Sequence, residues 1–159
     1  MTRRRPRRKG GTLKDGERRQ LARASRHGPA TLPEPGDWPL LLCDGGSRGN
    51  PGPAAAAAVL LSTDGGVVEQ QAESIGHATA AEAEYRAILL GLQLAQRHGV
   101  DQVEVRSDSQ LAIDALTRGA PAAEEVAAAA RAFTAVRWRW HPRGANEAAD
   151  ALVRALLWP

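Results

Sequence analysis

The sequence predicts a single mixed α/β domain behind a basic N-terminal segment, and three observations lead to that reading. Between Trp38 and Leu157, short apolar runs ending in glycine, proline or aspartate alternate with longer stretches of helical periodicity. The 159 residues, 43% of them hydrophobic, suit one domain with a substantial core. Charge divides the chain sharply: residues 1–26 hold eleven basic side chains against Asp15 and Glu17, a balance of +9, whereas residues 27–159 hold ten basic against sixteen acidic, a balance of −6. The formal total of +3 hides an acidic body.

Residues 1–36 contain Arg3-Arg4-Arg5-Pro6-Arg7-Arg8-Lys9, then glycines, then Pro29, Pro33 and Pro35. Such a segment has too little apolar surface to offset its ordering entropy, so it is expected to be a disordered tail and linker, with residues 37–159 as the folded domain. Its charge suggests a nucleic-acid tether; the plainer alternative is a solvated extension without an essential role.

Within the body, strands are expected over 39–44, 53–62, 67–74, 102–107 and 135–141, with Asp64-Gly65-Gly66 as the hairpin signal between the second and third. Helices are expected over 81–97, 109–117, 121–133 and 145–157. The alanine clusters at 54–58 and 127–130 read as compositional bias, and Trp138 and Trp140, alternating along the last strand, as packing residues. No apolar stretch approaches the roughly 18 residues of a membrane span. The charged N-terminus has no apolar segment behind it, so the cytoplasm is the expected location. The lone Cys43 excludes an internal disulfide and a cysteine-ligated zinc site.

Four carboxylates stand out. Asp44 closes the apolar run Leu40-Leu41-Leu42-Cys43 and precedes Gly45-Gly46-Ser47-Arg48-Gly49-Asn50-Pro51-Gly52, a turn-forming sequence. Glu84 shares a helix face with Ala87, Ile88 and Gly91 and so points inward, whereas Glu82, turned from it by about 200 degrees, shares its face with Arg86 and reads as a solvated i,i+4 pair. Asp108 follows Val103-Glu104-Val105-Arg106-Ser107, where a helix N-cap is the competing use. Asp150 borders the stripe Ala149, Leu152, Val153 and Leu156, with Asn146 one turn earlier. Two unit charges about 4 Å apart repel by roughly 4 kcal/mol at an effective dielectric of 20, so four carboxylates in one cleft would need cations or shifted pKa values. All-oxygen ligation selects Mg2+ or Mn2+ over zinc or copper.

The order and spacing of Asp44-Gly-Gly, Ala83-Glu84-Tyr85-Arg86-Ala87, Ser107-Asp108-Ser109 and Asn146-x-x-Ala149-Asp150-x-Leu152 resemble ribonuclease H of type 1, over about Trp38 to Leu157. The resemblance implies a ribonuclease H-like α/β fold: a five-stranded mixed sheet flanked by helices, its first three strands an antiparallel meander and its last two parallel to the first. It also implies a metal-dependent endonuclease, monomeric, that hydrolyses the RNA strand of RNA/DNA hybrids and leaves 5′-phosphate and 3′-hydroxyl ends. In that scheme Asp44 bridges two ions, Glu84 and Asp108 hold one with its water, and Asp150 completes the other. Gly45, Gly46, Asn50, Thr79 and Asn146 would meet the nucleic acid.

Two departures accompany the likeness. Family members carry a threonine and two asparagines before the catalytic glutamate, and here Thr79 is followed by Ala80 and Ala81. Many members place a mobile histidine about ten residues before the last aspartate; His141 lies nine before Asp150, at a point where a related branch has an apolar residue followed by Pro-Arg. His77 reads as a surface residue. The alternatives are a hybrid-binding module without catalysis, or a nuclease of the same fold acting on duplex RNA or structured DNA.

Overall fold

The computed structural model describes residues 30–159, so the expected basic tail lies outside the described residues as far as residue 29; residues 30–36 carry no regular secondary structure. Five strands form one sheet: β1 (Leu40–Ser47), β2 (Gly52–Leu61), β3 (Val67–Ala78), β4 (Gln102–Ser107) and β5 (Ala135–Trp140), in the order β3-β2-β1-β4-β5. β1, β2 and β3 pair antiparallel, and β4 and β5 run parallel to β1. The helices among the described residues are α1 (Ala80–Arg97), α2 (Gln110–Arg118), α3 (Glu124–Ala130) and α4 (Glu147–Leu157). This is the mixed sheet, an antiparallel meander with two further strands parallel to the first, that the resemblance implied.

Three boundaries differ from expectation. β1 does not end at Asp44: Gly45 and Gly46 continue the ladder opposite Ala56 and Ala55, and the turn lies beyond Ser47, closed by Arg48 N–H donating to Pro53 O at 2.8 Å. β3 extends four residues past residue 74 because its partner β2 runs the full length opposite it, absorbing register shifts at Ala54/Ala55 and Leu60/Leu61. The helix expected over 121–133 is a 3-10 turn at Pro121–Ala123 followed by the short α3; neither has a side-chain cap, and the chain leaves in tight turns at residues 131–133.

Alternation along the central strands sorts the core into two layers. Leu41, Cys43, Ala56, Ala58 and Leu60 face α1, α2 and α3, while Leu40, Leu42, Ala55, Ala57, Val59 and Leu61 face α4. The alanine run at 54–58 thus has a packing role, contrary to its reading as mere composition. All five residues are buried, and their small side chains let helices lie close on both faces of the sheet.

Two glycines bring α1 still closer. A Cβ on Gly91 would lie 3.0 Å from Cys43 Sγ. A Cβ on Gly45 would lie 2.2 Å from Ala83 O and 2.6 Å from Glu84 N, inside the backbone of the helix itself. The chain enters the sheet through Trp38, whose ring lies 3.7 Å from the Arg137 guanidinium, and Asp37, whose carboxylate accepts from Arg137 Nη1 at 2.9 Å.

Gly45→Ala is expected to destabilise the fold by about 3 kcal/mol or more, because neither backbone can retreat. Gly46→Ala, whose Cβ would meet only Val153 Cγ1 at 3.5 Å and Leu157 Cδ1 at 3.7 Å, should change stability by less than about 1 kcal/mol. Urea unfolding midpoints of the two variants compare them directly.

Candidate active site

Strand register assembles the first two acids. β1 and β4 pair in parallel from Leu40↔Glu104 to Cys43↔Ser107, and the residue after each member of the last pair is an aspartate, Asp44 and Asp108. Matched positions of a parallel ladder send side chains to the same face, so both carboxylates stand at one level where β4 ends and β1 continues. Glu84 joins them from α1, held there by the backbone contact at Gly45. One carboxylate oxygen from each of Asp44, Glu84 and Asp108 lies within 4.8 Å of the other two. Asp150, from the opposite layer, lines the same cleft of about 660 Å³ but stands outside this triad; its Oδ2 accepts from Arg154 Nε at 3.0 Å.

The surrounding hydrogen bonds fix each acid from behind. Ser107, fully buried, donates from Oγ to Glu84 Oε2 at 3.4 Å and accepts from Ser109 N–H at 3.1 Å. Ser109, not Asp108, caps α2, accepting from Ala112 N–H at 3.2 Å, so the Asp108 carboxylate is left to the acid cluster. Trp140 Nε1 donates to Asp108 O at 3.1 Å. At the start of α1, Thr79 and Glu82 form a reciprocal capping box, and Asn50 Oδ1 accepts from Ala80 N–H at 3.1 Å, which ties the β1–β2 turn to the helix that carries Glu84.

Several expected roles change. Asn146, expected to touch nucleic acid, is fully buried: its Nδ2 donates to Cys43 O at 2.8 Å, so it joins α4 to β1 beside Asp44 and has no surface to offer a ligand. Gly45 is also buried and serves the helix contact. Asn50 is exposed but spends its carbonyl oxygen on Ala80, and Thr79 Oγ1 accepts from Glu82 N–H, so the part of each available to nucleic acid is smaller than expected. Glu82 belongs to the capping box, while Arg86 pairs with Glu73 at 3.0 Å on β3. Trp140 is 45% exposed, unlike Trp138, which packs on the core. His141 is buried against Asn146 and not displayed on a loop tip, which fits an apolar strand position; His77 is exposed, as read.

Two features of the site went unrecognised in the sequence. Arg143, in the expected Pro-Arg pair, lines the cleft, and its charge favours the ionised forms of Asp44 and Asp108. Ser107 was visible beside Asp108, but nothing in its neighbours signals a link to Glu84, 23 residues away.

Burial and mutual repulsion dominate the electrostatics. Desolvation, then the charges of Asp108 and Asp150, push Asp44 up to about 8. Desolvation, then Asp44 and Asp108, push Glu84 up to about 9, against hydrogen bonds from Gly45 N–H and Ser107. Asp108 is raised in the same way, mainly by burial. Desolvation and the nearby acids also raise the Cys43 thiol, which leaves it protonated and inert. A buried set of hard oxygen donors that resists its own ionisation fits divalent cations, which would supply the missing positive charge.

Asp44 and Glu84 have folded-state pKa values above their ordinary 3.8 and 4.5, so without metal they bind more protons folded than unfolded. Their contribution to stability is complete below about pH 4 and is lost as the pH rises through about 8 and 9. The metal-free protein should therefore lose melting temperature toward pH 9 by a larger margin than Asp44→Asn, and Mg2+ should restore more at high pH than at pH 5. Thermal unfolding in chelator and in Mg2+ measures both effects; parallel pH curves for the two proteins would reject this assignment.

Residues 42–156 match the family model described as reverse transcriptase-like. Ribonuclease HI of Halobacterium salinarum is 43% identical over 123 residues, covering 72% of this chain and 61% of that protein; the chain thus spans about three fifths of this relative. The crystal structure of RNase H1 from the same archaeon superimposes with a TM-score of 0.68 at 41% identity, covering 74% of this chain and 96% of that one. LC11-RNase H1, solved in complex with RNA/DNA hybrid, superimposes with a TM-score of 0.67 at 32% identity, covering 75% and 96%. With the sheet order, the four acids and these likenesses in agreement, the chain belongs to the ribonuclease H type 1 family.

Proposed function

We propose that this protein is a divalent-metal-dependent endonuclease that hydrolyses the RNA strand of RNA/DNA hybrids, leaving 5′-phosphate and 3′-hydroxyl ends. The observation that carries the reading is the meeting of Asp44, Glu84 and Asp108 oxygens within 4.8 Å, with Asp150 in the same cleft. Family relatives named ribonuclease HI, and the hybrid bound by LC11-RNase H1, support the substrate. In this reading Asp44, Glu84, Asp108 and Asp150 hold two Mg2+ or Mn2+ ions. Such ions, when bound, activate a water nucleophile and stabilise the departing 3′ oxygen.

The chain's own residues prepare that chemistry. Asp44, Glu84 and Asp108 must lose their protons, and Arg143 favours this for the two aspartates. Gly46 lines the cleft on its strand side and leaves room for a 2′-hydroxyl, while Asn50, in the exposed turn beyond β1, keeps its amide nitrogen for the sugar–phosphate backbone. Ser107, Asn146 and the Thr79 cap hold the acids still while substrate enters. A monomer in the cytoplasm completes the reading; the unpaired, buried Cys43 is in keeping with a reducing compartment. Among the described residues no helix is long and apolar enough to cross a membrane.

Cleavage of a strand-labelled hybrid tests the proposal. The native chain should cut the RNA strand with Mg2+ or Mn2+ and not with chelator, and Asp44→Asn should lose at least about a hundredfold in rate. Faster cutting of duplex RNA or structured DNA would instead favour a same-fold nuclease, which Ala80 and Ala81 in place of the family's amides keep in view. The N-terminal segment is read as an electrostatic tether for a body whose own charge is negative. Deleting residues 1–29 should raise KM and flatten its dependence on salt, while equal KM values and salt slopes in both proteins would remove the tether from the account.

A further inference from the structure

On its α4 side the cleft changes character. Beyond Asp44 and Asp150 it is walled by Val153, Leu157 and Trp158, with Gly46 at the foot of the wall. Val153 and Leu157 are buried and give the wall a packed base. Trp158 tops it with 61% of its surface exposed, although its backbone is fixed by N–H donation to Arg154 O at 2.8 Å. The Arg154 guanidinium lies on the same rim, largely exposed and held by Asp150.

A large indole left in water at the lip of the cleft, on top of a packed apolar wall, offers a ligand a flat apolar surface to cover. Its neighbours narrow the ligand's chemistry. An arginine beside a flat aromatic surface suits a molecule that presents anionic groups and apolar ring faces in turn, as the phosphates and sugars along the outside of a duplex strand do. Trp140, the other exposed indole near the acids, differs because its Nε1 is committed to Asp108 O.

We propose that Trp158 is a packing platform for a sugar ring of the strand that occupies the cleft, extending the binding surface along α4 away from the metal-binding acids. This rests on the functional reading above. It assigns the apolar wall to substrate binding, and it makes Trp158 a binding residue and not a catalytic one.

The test uses the full chain carrying Asp44→Asn, so that hybrid can be bound without being cut. Trp158→Ala in that background should weaken binding of an RNA/DNA hybrid by about fivefold or more, whereas Trp158→Phe, which keeps an aromatic face, should stay within about twofold. Titration with hybrid should quench tryptophan fluorescence in the Asp44→Asn protein and quench it less in the Trp158→Phe variant. Melting temperatures should be alike in all three, since the indole is mostly in water. Equal affinities for the alanine and tryptophan forms, or equal quenching with and without Trp158, would overturn the proposal while leaving the functional reading intact. Failure of the Asp44→Asn protein itself to bind hybrid would overturn both.

Discussion

The contact between β1 and α1 at Gly45 is the constraint on which the site depends. Strand and helix normally meet through side chains, which keeps their backbones about 10 Å apart. Here the missing Cβ lets the helix backbone at Ala83 and Glu84 approach the strand directly. That approach brings a glutamate from a different layer of the fold beside an aspartate of the sheet. The β1–β4 register then supplies Asp108 without further adjustment, because it is the next residue after the last matched pair.

Such an arrangement stores repulsion, and the fold resists it by covalent and hydrogen-bonded geometry instead of by pairing each acid with a base. Only Asp150 has a close cation, Arg154, among the residues described. Asp44, Glu84 and Asp108 instead respond by holding protons, as burial and like charge require. The groups that hold them in place are backbone groups, a serine and a buried asparagine, all neutral, and Arg143 acts on the two aspartates through its charge without forming an ion pair. Neutral supports leave the acids' oxygens available to an incoming cation.

Much of this was legible in the sequence, for physical reasons that differ from residue to residue. Glu84 could be assigned inward because helix geometry separates it from Glu82, and the strand directions were implied by the family likeness of motifs that occur together. Asn146 was misplaced because an asparagine in the first turn of a helix looks the same whether it faces solvent or a buried carbonyl; only tertiary structure shows Cys43 O beneath it. Trp140 followed the right alternation, yet is the last residue of the edge strand β5 and stays exposed, so correct parity did not mean burial. The capping box at Thr79 and Glu82 has a plain sequence pattern, but the competing i,i+4 partner at Arg86 was equally well spaced. β3 claimed that arginine through Glu73, a contact 13 residues distant.

The alanines of β2 carry a consequence for the chemistry they never touch. Ala56 and Ala58 set how near α1 can lie, Ala55 and Ala57 do the same for α4, and those two helices carry Glu84 and Asp150. The gap between acids on opposite sides of the sheet is therefore a dimension of the core, measured in methyl groups. A strand with no functional group of its own acts as the gauge of the site, and the reach of the acids across the cleft can be altered from a position that no substrate ever meets.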